Sequence, residues 1–150
     1  MKVGIFRISL PSKSLTLYES SVIEYLEENN HEIFIDIDFL KKLPKKLNKK
    51  PLDINKIDVL FTIGGDGTLL RAIPLVKNKN VPILGINTGQ LGFLTSVNKE
   101  SLINGLNMFF NKKYTLIKRT LIELKTYPII SDIEKFPYAL NEVTINRKNN

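Results

Sequence analysis

The spacing of apolar residues changes along the chain, and each change marks an element. Lys2 to Ser9 is a short apolar run (Val3, Ile5, Phe6, Ile8) and predicts a buried first strand. Pro11 and Ser12 turn the chain. From Ser14 onward, Leu15, Tyr18, Val22, Tyr25 and Leu26 recur at three- and four-residue steps, which places them on one stripe of a helix ending near Asn29 and Asn30. Ile33, Ile35 and Ile37 alternate with other residues from Glu32 to Ile37 and predict a second strand. Asp58 to Ile63 is a third, apolar on both faces as the centre of a parallel sheet requires. A helix is expected from about Thr68 to Val76 and a fourth strand from Val81 to Ile86. Strand, helix and strand in repetition imply parallel crossovers, hence an α/β fold.

Leu102, Ile103, Leu106, Phe109 and Phe110 form a helical stripe over Ser101 to Phe110. Beyond Lys113 the texture changes. Tyr114 to Tyr127 and Tyr138 to Arg147 are β-rich, with no helical period between them. Residues 1–112 are therefore expected to form the α/β domain, and 113–150 the opening strands of a β-rich second domain. Two or three strands cannot complete such a domain, because an edge and an apolar face stay open. Apart from one lysine-rich stretch there is no internal repeat or low-complexity segment.

The strongest chemical signal is Gly64-Gly65-Asp66-Gly67-Thr68, directly after a buried strand and directly before a helix. Glycines permit positive φ and close backbone approach, so the loop can turn sharply while the N–H groups at Gly65 and Gly67, and those of the helix N-terminus, face a phosphate. A bare anion cradle has no use for a carboxylate. Asp66 would repel phosphate unless it accepts the proton of an attacking hydroxyl, orients it, or assists a cation-bound nucleotide. The alternative is a turn in which Asp66 caps the following helix. The spacing G-x-x-x-x-G-K-[ST] is absent, and G-x-G-x-x-G fails because position 70 is Leu70.

A second glycine cluster, Gly85 to Phe93, follows the fourth strand and so emerges at the same carboxyl edge, where ligands of such sheets sit. Asn87 and Thr88 offer hydrogen-bonding groups and Phe93 a flat face for a purine; an exposed turn with a buried aromatic is the alternative. A third cluster is Asn141-Glu142 in the predicted strand Leu140 to Ile145. The pair suits the hydroxyl groups of a ribose, or else lies on a solvated edge.

Composition narrows the partners. With 43% apolar and 25% charged residues among 150, the chain is that of a folded protein. The absence of cysteine excludes disulfides and thiolate chemistry and fits a reducing compartment. His31 is the only histidine, so zinc lacks ligands, and any metal is expected to be a hard cation held by oxygen, such as Mg²⁺. The start lacks the apolar core of a signal peptide and no run approaches the ~20 residues of a membrane span, so a cytoplasmic protein with no membrane partner is expected. The net charge of +7 invites a nucleic-acid reading. However, Lys41, Lys42, Lys45, Lys46, Lys49 and Lys50 crowd between Leu40 and Pro51 with few aromatics beside them, which fits a solvated helix-and-loop face better than nucleic acid.

Taken in order, three segments resemble the NAD kinase family: Ile63 to Leu70; Leu84 to Gly89 with Leu91-Gly92-Phe93; and Leu140-Asn141-Glu142-Val143. The first loop alone is shared with diacylglycerol and sphingosine kinases and resembles that of phosphofructokinases; the other two make the likeness specific. The resemblance implies a parallel-sheet nucleotide-binding domain of NAD kinase type, transferring a phosphoryl group from ATP, another nucleoside triphosphate or polyphosphate to the 2′-hydroxyl of the adenosine ribose of NAD, with a divalent cation. Asp66 would match the proton acceptor facing that hydroxyl, with Gly67 beside it at the dinucleotide. Asn141 and Glu142 would match the pair on the second ribose, Phe93 the aromatic near the adenine, and Arg71 a position that can reach a phosphate. Family members continue well past residue 150 into a β-rich domain that closes the site and joins subunits. This chain is therefore expected to be incomplete for catalysis and to form a homo-oligomer when full length. A non-catalytic nucleotide-binding module is the alternative.

Overall fold

The computed structural model describes residues 1–8, 16–41, 43, 49–77, 79–89 and 92–146. The predicted turn at Pro11 and Ser12, the helix entrance at Ser14 and Leu15, and Lys42, Lys45, Lys46, Leu91 and Arg147 lie outside them. The chain divides into two compact units, Met1–Tyr114 and Thr115–Asn150.

The first unit is built on a sheet of six parallel strands: β1 (Lys2–Phe6), β2 (Glu32–Ile35), β3 (Lys50–Pro51), β4 (Val59–Ile63), β5 (Ile83–Asn87) and β6 (Val97–Asn98). Their order across the sheet is β3-β2-β1-β4-β5-β6. Chain order runs outward in one direction from β1 and in the other from β4, so the topology switches between these two central strands. Crossovers between parallel strands are right-handed, and reversing their direction moves the connecting helices to the opposite face. Accordingly, α1 (Leu17–Glu28) and α4 (Leu102–Phe110) cover one face, where Val22, Ile23, Leu26, Leu106 and Phe109 pack on Val3, Ile5, Ile33, Val59 and Phe61. On the other face Ala72 and Val76 of α3 (Asp66–Val76) pack on Phe34 and Leu60. This is the α/β fold with a parallel sheet that the apolar pattern predicts.

Several boundaries differ from expectation. The first strand stops at Phe6, short of Ser9, and the second at Ile35, because Asp36 caps the short helix α2 (Ile37–Leu40) by accepting from the N–H groups of Asp38 and Phe39 at 3.1 and 3.3 Å. Edge strands β3 and β6 are two residues long and carry no readable period. Thr16 and Glu19 cap each other at the start of α1. At its end Asn30 takes a positive φ of 57°, and the N–H of His31 closes the turn onto Leu26 at 2.9 Å. The His31 ring stacks on Phe110 at 4.1 Å, so this histidine serves a helix end through its main chain and the core through its ring.

In the second unit only β7 (Ile122–Glu123) and β8 (Tyr138–Ala139) pair, antiparallel and over two residues each. The long predicted strands do not form: a two-stranded ribbon without a covered face has little to stabilise it. A short helix, α5 (Ser131–Glu134), stands where no helical period was legible.

Candidate functional site

The first glycine loop leaves β4 at the switch point, beside the carboxyl end of β1. Gly64 has φ of 150°, its N–H donates to Ile86 on β5 at 2.9 Å, and a Cβ there would fall on the Thr68 side chain. Glycine is thus required twice at this position, by dihedral and by contact. Gly65 and Gly67 differ: both are exposed, and a Cβ on either would meet no protein atom within 4 Å. Their bare backbone faces open space. Gly65 is the N-cap of α3 and supplies no side chain to it, so the N–H groups of Asp66 and Gly67 have no partner among the described residues.

The helix begins two residues earlier than expected, which places Asp66 in its first turn. Its side chain does not cap the helix. It reaches across to the second glycine loop instead, where Oδ2 accepts from the N–H of Phe93 at 2.8 Å and Oδ1 from those of Leu94 and Thr95 at 3.1 and 3.3 Å. Burial of the carboxyl raises its pKa, but the three amides and a hydrogen bond from the Thr95 side chain outweigh this and hold it below its ordinary range. Asp66 is therefore an anion at neutral pH, fixed in orientation at the carboxyl edge.

The second loop is built around the same contact. Asn87, at the end of β5, is buried; its Nδ2 donates to Thr95 Oγ1 at 3.0 Å and its Oδ1 accepts from Gly89 N at 2.8 Å. The side chain that the sequence offered to a ligand thus holds the loop from inside. Thr88 is half-buried. Phe93 is 97% exposed, so the alternative of a turn closed by a buried aromatic is overturned, and an apolar face stands free next to the Asp66 carboxylate. Arg71, in the second turn of α3, is exposed and has no ion-pair partner among the described residues. Asn141 and Glu142 follow β8 in the second unit, exposed and outside any strand, in place of the predicted strand Leu140 to Ile145.

Two features escaped the sequence. Thr95 lies two residues past Phe93, and only its contact with Asp66 reveals it. Arg7, just after β1, is buried with Glu19 in an ion pair, its guanidinium 4.2 Å from the Phe39 ring centroid; charged residues separated by a helix entrance carry no pattern that pairs them. Of the basic run, Lys41, Lys49 and Lys50 pair with Asp38, Glu27 and Glu32. Among the described residues no three of His, Cys, Asp or Glu are grouped to hold a metal, and no helix is long and apolar enough to cross a membrane. A hollow of about 260 Å³ in the second unit is lined by residues of 123–137, and one of about 250 Å³ in the first by Leu17, Tyr18 and Ser21 of α1 and by residues 99–104.

An exposed glycine loop feeding a helix N-terminus, at the switch point of a doubly wound parallel sheet, places the chain among the α/β proteins whose sites lie at the carboxyl edge of the sheet. Comparison narrows the class. Residues 9–114 match the family model described as the ATP-NAD kinase N-terminal domain, and the chain belongs to this family. The NAD kinase of Flavobacterium psychrophilum is 37% identical, with 99% of this chain and 53% of that relative aligned. The NAD kinase of Flavobacterium johnsoniae is 41% identical, with 85% of this chain and 46% of the relative aligned. For Methanothermobacter thermautotrophicus NAD kinase the values are 35%, 97% and 49%. The chain thus spans about half the length of the curated relatives it matches. The fold resembles that of yeast NADH kinase complexed with NADH, with a TM-score of 0.65 at 21% identity over 81% of this chain and 41% of that one. It also resembles an Archaeoglobus fulgidus NAD kinase in complex with ATP, with a TM-score of 0.55 at 24% identity and the same coverage.

Proposed function

We propose that this chain supplies the phosphate-facing loop and the proton-accepting carboxylate of an NAD kinase, which moves the γ-phosphoryl group of ATP, another nucleoside triphosphate or polyphosphate onto the 2′-hydroxyl of the adenosine ribose of NAD. The observation that carries the reading is the Asp66 carboxylate, charged and held in one orientation beside bare glycine backbone. The hydroxyl oxygen attacks phosphorus, the bond to the leaving phosphate breaks, and the hydroxyl proton passes to Asp66. A carboxylate with a lowered pKa is a weak base, so it orients the hydroxyl first and takes the proton late, once the new P–O bond has acidified it. The three amides leave part of the carboxylate's acceptor capacity for the hydroxyl.

The open amides of Asp66 and Gly67 bind phosphate oxygens, Arg71 adds charge to them, and the exposed face of Phe93 stacks on adenine. Asn141 and Glu142 hold the second ribose, with Thr88 at the loop edge. Asn87 serves by shaping the loop. A divalent cation, Mg²⁺ by its hardness, would be held through oxygen and would neutralise charge on the donor's phosphates. A cytoplasmic setting and homo-oligomeric assembly belong to the same proposal.

The test is NADP formation by the longest natural reading frame that contains this chain, together with calorimetry of the chain with NAD and with ATP. Asp66→Asn is expected to keep the fold and lower turnover by at least about 100-fold. Turnover within a few-fold of the parent removes Asp66 from the mechanism. Nucleotide binding with no turnover in either form favours the non-catalytic module.

A further inference from the structure

The Asp66 carboxylate is held by another loop, and the groups holding it form a short connected chain. The main-chain N–H groups of Phe93, Leu94 and Thr95 all point at it. The Thr95 side chain, 9% exposed as a residue, accepts from the buried Asn87 amide at 3.0 Å, which fixes the residue whose N–H holds Asp66 Oδ1 at 3.3 Å. Asn87 is in turn held by Gly89 N. At the other end of the loop, Gly92 lies so close to Asp66 that a Cβ would fall on the carboxylate oxygens. Segment 92–95 thus fits the carboxylate from two sides, by contact at Gly92 and by the N–H groups of residues 93–95.

We propose that Thr95 is a positioning residue for the phosphoryl transfer: through its hydroxyl and amide it sets the direction in which Asp66 presents its open lone pair, and Gly92 keeps the space in which the carboxylate sits. The inference rests on the reading of Asp66 as the group that faces the ribose hydroxyl. It adds a residue that contacts neither NAD nor donor. A threonine suits the task because its hydroxyl accepts from Asn87 while its main-chain N–H holds Asp66, so a single residue links the floor of one loop to the side chain of the other. Removing the hydroxyl frees residue 95 from Asn87 and weakens the N–H bond that it gives the charged carboxylate. That raises its pKa, and it leaves the Asn87 amide without this acceptor.

The experiment measures two quantities in Thr95→Val, which keeps shape and the main-chain N–H, in Thr95→Ser, which restores the hydroxyl, and in Gly92→Ala. The first is the titration of the Asp66 side-chain carboxyl by ¹³C NMR on the 150-residue chain. Its midpoint is expected to rise in Thr95→Val and Gly92→Ala and to return toward the parent in Thr95→Ser. The second is kcat for NADP formation against pH in the longest natural reading frame. Thr95→Val is expected to lower kcat about tenfold with KM for NAD little changed, the cost of one charge-assisted hydrogen bond. Activity requires the carboxylate, so it falls as pH drops through the Asp66 pKa, and in Thr95→Val the fall begins at higher pH. An Asp66 midpoint unmoved by Thr95→Val overturns the inference whatever the kinetics. If Thr95→Val fails to fold, an unmoved midpoint in Gly92→Ala does the same. A shifted midpoint in an enzyme whose Asp66→Asn form keeps full turnover leaves the contact standing and sinks the catalytic reading beneath it, so the two failures are told apart.

Discussion

The two units of this chain contain apolar residues in similar runs and use them differently. In residues 1–114 the isoleucines, valines and leucines of five-residue strands meet neighbouring strands on both sides and helices above and below, and every fully buried side chain of the described protein lies there. Among residues 115–146 none is buried; Ile117 and Ile129 are each 70% exposed and Tyr127 is 100% exposed. The difference lies in partners, not in propensity. A β-rich sequence becomes a strand when other strands and a covering layer are supplied, because β preference measures fit to a half-buried surface. In the first unit the sheet supplies them, and the glycine loops emerge from a rigid edge. In the second the same residue types yield two paired residues on each side.

The contrast can be pressed by mutation. Glu19→Ala leaves the buried Arg7 guanidinium unpaired and also removes half of the α1 capping box, so it should destabilise the first unit by about 3–5 kcal/mol, read as a lower urea midpoint. A change under about 1 kcal/mol would mean that the pair is solvated and that this unit is less tightly closed than described. Gly67→Ala probes the open side of the loop. The added methyl meets no protein atom and replaces a helical glycine, so stability should rise by about 0.4–1 kcal/mol while calorimetric affinity for NAD falls. Lower stability would show that the space is not open. Ile117→Ala should change the urea midpoint by no more than about 0.5 kcal/mol, as for an exposed side chain. A loss of 2 kcal/mol or more would erase the distinction between the units.

Legibility in the sequence followed the same division. The central strands β1, β2, β4 and β5 and helices α1, α3 and α4 announce themselves through periods imposed by burial on one or both faces. Two-residue edges at Lys50 and Val97 have no period, and Asp36 ends a strand through a cap that alternation alone does not reveal. At the site, the place of Gly64-Gly65-Asp66-Gly67 between strand and helix was readable. What Asp66 touches was not, since its donors are main-chain groups of residues 93–95, which carry no sequence signature. Asn87 was legible as polar, but its bracing of the loop was not, because an amide that braces a loop and one that binds a ligand are the same letter.

The proposed meeting of the Asp66 carboxylate with the 2′-hydroxyl of the adenosine ribose of NAD is open to direct measurement. The ¹³C signal of that carboxyl, followed while the protein is titrated with NAD and then with an NAD analogue lacking this one hydroxyl, tests it directly. A saturable shift is expected with NAD and a much smaller one with the 2′-deoxy analogue. Equal shifts with both ligands, or a carboxyl signal that stays still while NAD binds, would contradict it.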